Sequence, residues 1–126
     1  MINHEDLPDK LKQTDFTMPS AYFTVFERQL TSLAPWAFID AQEAQSLFEV
    51  IQELYPHIPG MPFARRRDND DVAVIIAQNT TDYTQGTILI VHLFASKEFA
   101  VDDTFPEFWD WFRIAVNEMI AFTSSR

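Results

Sequence analysis

Apolar residues recur along this chain with two periods, and each change of period marks a new element. From Pro19, the residues Tyr22, Phe23, Phe26, Leu30 and Leu33 fall on one side at helical spacing. That pattern predicts a helix that opens on the proline and stops before Pro35. Trp36 to Ile39 is a short apolar piece suited to an edge strand. Asp40 then reads as an N-cap, with Glu43 at the capping-box spacing. The helix it opens places Ala44, Leu47, Phe48, Ile51, Leu54 and Tyr55 on one face, and Pro56 ends it.

The period then shortens to that of strands. HIPG is a turn and MPFARR a strand. VAVIIAQ and TILIVHLFA are β-branched and apolar on both faces, and the polar loop QNTTDYTQG between them predicts an antiparallel hairpin. With the loop centred near Asp82, paired residue numbers sum to about 164, which sets Val72 opposite His92. The last helix is predicted to open at Thr104-Phe105-Pro106-Glu107, a second capping-box spacing. Its broad apolar face holds Phe105, Phe108, Trp109, Phe112, Val116, Met119 and Ile120. Trp111, Ile114 and Phe122 fall off that face, so the amino-terminal segment or a second copy of the chain has to cover them. The order of helices, strands and helix predicts an α+β fold, a single domain over 1–126. It is read as a twisted antiparallel sheet with helices packed on it and a long C-terminal helix, and residues 1–15 form a flexible lead-in.

Composition agrees with one packed domain. The chain has 126 residues, 47% hydrophobic and 14% aromatic, too apolar for disorder. No run approaches the roughly 18 apolar residues of a membrane span, and VAVIIA and ILIV are strand-sized. The opening MINHEDLPDKLKQ is polar and partly acidic, unlike a secretory or transit peptide, so the expected location is cytoplasmic. The absence of cysteine excludes disulfides, thiolate metal sites and thiol nucleophiles.

Net charge is −10, with both halves acidic. Phosphate backbones and anionic membranes repel such a chain, which argues against nucleic-acid or membrane binding. The same field favours encounter with a basic protein partner.

One stretch stands out chemically, ARRRDNDDVAV. Arg65, Arg66 and Arg67 hold a third of the 9 basic side chains and run directly into Asp68, Asn69, Asp70 and Asp71. The expected hairpin register gathers Arg65 to Asp71, His92 and Lys97 at one end of the sheet. Asp beside His can bind a metal or move protons. Against this, Asp68 to Asp71 lacks the spacing and glycine of a calcium loop, and three adjacent arginines oppose a bound cation. There is no His-Glu-x-x-His, no phosphate-cradling glycine loop and no Gly-x-Ser-x-Gly. The plain structural reading is a charged turn in which Asp and Asn accept backbone hydrogen bonds. Between the two lies a recognition surface built from Arg65, Arg66, Arg67, Asp68, Asp70, Asp71 and His92, since paired Arg and Asp suit specific protein contacts.

Three runs, MPFARRRDNDDVAVII, GTILIVHLFAS and FPEFWDWFRIAVNEMI, together resemble the SUKH superfamily of fungal cell-wall synthesis regulators and bacterial immunity proteins. Upstream, Phe16-x-x-Pro19-x-x-Tyr22 and LAPWAF are similar to the lead-in helices of a small bacterial branch. The likeness spans about residues 16 to 122, and PFARRRDNDD with the hairpin is its most specific part. The family's apolar–Pro–Phe–Ala segment falls on Met61 to Ala64 and its acidic turn on Asp68 to Asp71. Where many members carry Gly-Asp in that turn, this chain has Asn69-Asp70-Asp71.

The resemblance implies a single α+β domain that is not an enzyme, takes no cofactor and binds protein. In bacteria it implies an immunity protein that neutralises a basic, nuclease-type toxin. An intracellular regulatory or scaffold module is the alternative, and an unrecognised metal-dependent hydrolase the third reading. A homodimer through Trp111, Ile114 and Phe122 is a further expectation.

Overall fold

The computed structural model describes residues 1–124. Six strands form one antiparallel sheet in simple sequential order: β1 (Ser32–Leu33), β2 (Trp36–Phe38), β3 (Gly60–Arg66), β4 (Asp71–Ile76), β5 (Ile88–His92) and β6 (Val101–Phe105). Among the described residues four α-helices accompany it: α1 (Asp9–Lys12), α2 (Ser20–Glu27), α3 (Ala41–Leu54) and α4 (Phe108–Ser124). The fold is therefore α+β in one domain, with the long helix at the C-terminal end. The inner strands β3, β4 and β5 are buried almost throughout, because helices cover both faces of the sheet.

α3 follows its sequence pattern closely. Asp40 Oδ1 accepts the backbone N–H of Glu43 at 2.8 Å, and Ala44, Leu47, Phe48 and Ile51 are buried. Leu54 is exposed, since it faces outward at the end of the last turn.

α2 is shorter than its apolar pattern suggests. It ends at Glu27 with Gln29 in the left-handed region at φ 58. Gln29 N–H donates to Phe26 O and Leu30 N–H to Val25 O, the paired bonds of a Schellman motif. The reversal leaves Leu30 exposed and delivers Leu33 to the core through β1 instead. Because β1 pairs outside β2, the Trp36 segment is an inner strand and not the expected edge.

The C-terminal region differs more. Residues 101–105 form the edge strand β6, so Thr104 lies in a strand and does not cap a helix. The first backbone bonds of α4 go to the Glu107 carbonyl. Asp102, Asp103 and Thr104 are exposed, and acidic residues on an edge strand oppose pairing with other sheets. Losing Phe105 from the helix turns its buried stripe toward Phe108, Trp111 and Ala115. Trp111 is 1% exposed, with the Trp36, Phe38, Phe63 and Phe108 rings at 5.6, 5.8, 5.0 and 5.5 Å. It is a core residue of this chain, contrary to its expected role in a dimer surface. Of its two supposed companions, Phe122 is half-buried, beside Pro35 and Arg67, and Ile114 is 40% exposed.

The first fifteen residues are packed in place of a free lead-in. Ile2, Leu7 and Leu11 are buried, Ile2 N–H donates to Tyr22 Oη at 2.8 Å, and Gln45 Nε2 donates to the Asp6 carbonyl. Burial pushes the Tyr22 hydroxyl up to about 12, against a smaller opposing effect of the bond from Ile2.

Candidate functional site

β3 ends in the arginine run, and strand alternation distributes it. Arg65 and Arg66 are successive strand residues, so their side chains leave opposite faces of the sheet. Arg65 Nη1 donates to Glu43 Oε2 at 3.0 Å on α3, and Arg67 reaches the same carboxylate at 3.5 Å. Arg66 makes a two-pronged contact with Asp68, at 2.8 and 2.9 Å. It also pairs with Glu118 on α4 and lies over the Trp36 ring at 5.8 Å. Trp36 Nε1 donates to the other oxygen of Glu118 at 3.3 Å. The forked bond to Arg66 holds the Asp68 carboxyl below the usual range and raises Arg66 in turn. All three arginines are thus engaged by carboxylates of the same chain.

The turn between β3 and β4 is built as its residue types suggest, with Asn69 Oδ1 accepting the Asp71 N–H at 2.8 Å. Across the next ladder Asp71 pairs directly with His92, one residue from the expected partner Val72. That step matters, because residues paired in register share a face. His92 Nδ1 donates to Asp71 Oδ1 at 2.8 Å and lies 3.9 Å from Asp102 Oδ2. The bond to Asp71 and the charges of Asp71, Asp102 and Asp70 raise the His92 pKa. Asp102 is raised as well, first by partial burial and then by the neighbouring Asp71 charge.

The site residues read from the sequence therefore divide into two groups. Asp71 and His92 come together, with Asp70 close enough to act on the imidazole. Arg65, Arg66, Arg67 and Asp68 are engaged in internal pairs that tie β3 and its turn to the helices. Lys97 sits in a short 3-10 turn, Lys97–Phe99, and makes no ion pair among the described residues.

Sequence reasoning missed Asp102 and Asp103, which reach the cluster only because β6 pairs with β5. It also missed the connection from β5 to β6, where Phe94 is 75% and Phe99 70% exposed. Phe94 adopts φ 67, a conformation that bulky side chains rarely take. The loop is held from beneath by Tyr55 Oη donating to the Ala95 carbonyl at 2.6 Å. The two phenylalanines outside any apolar stripe are the signal that was available, whereas VDDTF has no strand alternation.

The surface is thus acidic and aromatic. Among the described residues, Asp70, Asp71, Asp102 and Asp103 have no Lys or Arg within ion-pair distance. No helix among them is long and apolar enough to cross a membrane. Compared with family models, curated proteins and solved structures, the chain finds no match in any of the three.

Proposed function

We propose that this chain is a protein-binding domain of SUKH type, an immunity protein that neutralises a basic, nuclease-type toxin in the cytoplasm and performs no catalysis itself. The observation that carries the reading is the unequal treatment of charge at one end of the sheet. Every arginine of the run is matched by an internal carboxylate, while Asp70, Asp71, Asp102 and Asp103 have no Lys or Arg within ion-pair distance among the described residues. Such a surface steers a cationic partner and repels nucleic acid, so it suits a protein that competes for a nuclease's basic groove.

Two further features support it. The exposed Phe94 and Phe99 beside the acidic patch offer apolar anchors of the kind that dominate binding energy at interfaces. A single α+β domain with helices packed on an antiparallel sheet is also what the family resemblance implies.

The test is affinity capture from the native lysate at low and high salt, followed by purified binding measurements on the captured basic protein. Charge reversal at Asp70 and Asp103 is expected to slow association and flatten its salt dependence. Phe94→Ser with Phe99→Ser is expected to speed dissociation. A captured basic partner that binds both variants as well as the parent would remove this surface from the reading, and a captured acidic partner would remove the reading itself.

A further inference from the structure

We propose that Asp71, His92 and Asp102 form a binding site for one divalent transition-metal ion, with the imidazole and two carboxylates as ligands. Their donor atoms all lie within 4.8 Å of one another. Three neighbouring strands supply one ligand each: Asp71 opens β4, His92 closes β5 and Asp102 belongs to β6. Ligands carried on paired strands are held more rigidly than ligands on loops.

The backbone around Asp102 is specialised for this placement. Ile90 pairs with Asp103 but Val91 with Val101, so Asp102 is the extra residue of a β-bulge. A bulge re-aims a side chain, and this one brings a carboxylate beside an imidazole that already holds Asp71.

The arginine run opposes a cation here less than the sequence suggested, although Arg66 lines the same cleft. Arg65 and Arg67 are drawn to Glu43, and Arg66 is neutralised by Asp68 and Glu118. Asp71 and Asp102 are left close to each other with no Lys or Arg on either among the described residues. Their mutual repulsion is relieved by a bound cation.

A second observation points to a ligand at the same place. Asp71 and Asp102 line a cleft of about 210 Å³ together with Trp111 and the paired Arg66 and Glu118. The Trp111 side chain is buried, and its Nε1 finds no acceptor among the described residues. Three protein ligands leave coordination positions open to water or a further group. One nitrogen and two oxygens suit Zn²⁺ or Mn²⁺, whereas Mg²⁺ and Ca²⁺ prefer oxygen alone. The inference does not depend on the toxin reading.

The experiment is calorimetric titration of the chelator-treated full chain with Zn²⁺, Mn²⁺ and Mg²⁺, alongside His92→Ala, Asp102→Asn and the control Asp103→Asn. Circular dichroism checks that each variant is folded; Asp102 is exposed, so its variant carries the test if His92→Ala misfolds. One equivalent of Zn²⁺ is expected to bind, weakened roughly tenfold or more in the two ligand variants and unchanged in the control. Absence of a one-equivalent isotherm in the parent, or equal affinity in Asp102→Asn, would overturn the proposal.

Discussion

Arg65 and Arg66 are adjacent in β3, yet their guanidiniums bind carboxylates on opposite sides of the sheet, Glu43 on α3 and Glu118 on α4. A single pair of successive residues thus clasps both helical layers to the strand between them. The two clasps differ in environment. Glu118 also accepts from Trp36 Nε1, and Arg66 stacks on that ring, so the α4 side carries the additional indole contacts.

That difference predicts unequal costs. Glu118→Ala leaves Arg66 and the Trp36 N–H short of an acceptor and is expected to destabilise by about 1–3 kcal/mol. Glu43→Ala removes its pairs with Arg65 and the exposed Arg67 but strands no indole N–H, and is expected to cost about 1 kcal/mol or less. Urea midpoints of the two variants measure this, and a larger loss for Glu43→Ala would show that the α3 clasp is the stronger one.

Trp111 and Trp109 separate the buried stripe of α4 from its margin. Trp111→Ala is expected to cost about 3–5 kcal/mol, since its ring meets four others in the core. Trp109 is half-buried, so Trp109→Ala is expected to cost about 1 kcal/mol. Thermal or urea unfolding orders the two directly.

Tyr22 gives an alkaline signature. Its folded pKa is raised to about 12 from 10.0, so the folded state retains a proton that the unfolded chain loses. The contribution is complete below pH about 10 and is lost as pH rises through about 12. Ultraviolet titration is expected to show Tyr22 as the last tyrosine to ionise, after Tyr83, which burial also raises, and that last step is expected to vanish in Tyr22→Phe. If that late step survives in the variant, another tyrosine is responsible.

The two glycines serve different needs. A Cβ at Gly60 would lie 3.0 Å from Val74 Cγ2 and 3.2 Å from Val74 Cβ, against a stiff β-branched side chain. Gly60→Ala is expected to cost about 1–3 kcal/mol through overpacking. Gly86 has open space around it but φ +93, so Gly86→Ala is expected to cost about 1 kcal/mol, and Gly86→Asn less. Equal midpoints for Gly60→Ala and the parent would mean that β3 and β4 move apart easily.

What the sequence determined by itself was whatever neighbouring residues settle among themselves. The α+β class, the Asp40 cap, the α3 stripe, the β3 and β4 strands and the Asn69 turn rest on contacts a few residues apart, where spacing and side-chain type suffice. Local reasoning failed where two local signals competed. The Thr104–Glu107 spacing imitates a helix start, but pairing with β5 claims Thr104 and Phe105 for a strand, and that displacement reassigned Trp111 from surface to core.

Only the tertiary structure decided the site. The Asp71–His92 pair depends on a one-residue choice of register, Asp102 joins it through a bulge, and the arginines are withdrawn by Glu43 and Glu118, 22 and 52 residues away from Arg65 and Arg66. Side chains in a sheet alternate with a period of two, so a shift of one residue moves a charge to the other face. The outcome is set by the packing of the whole core and not by the residues that carry the chemistry.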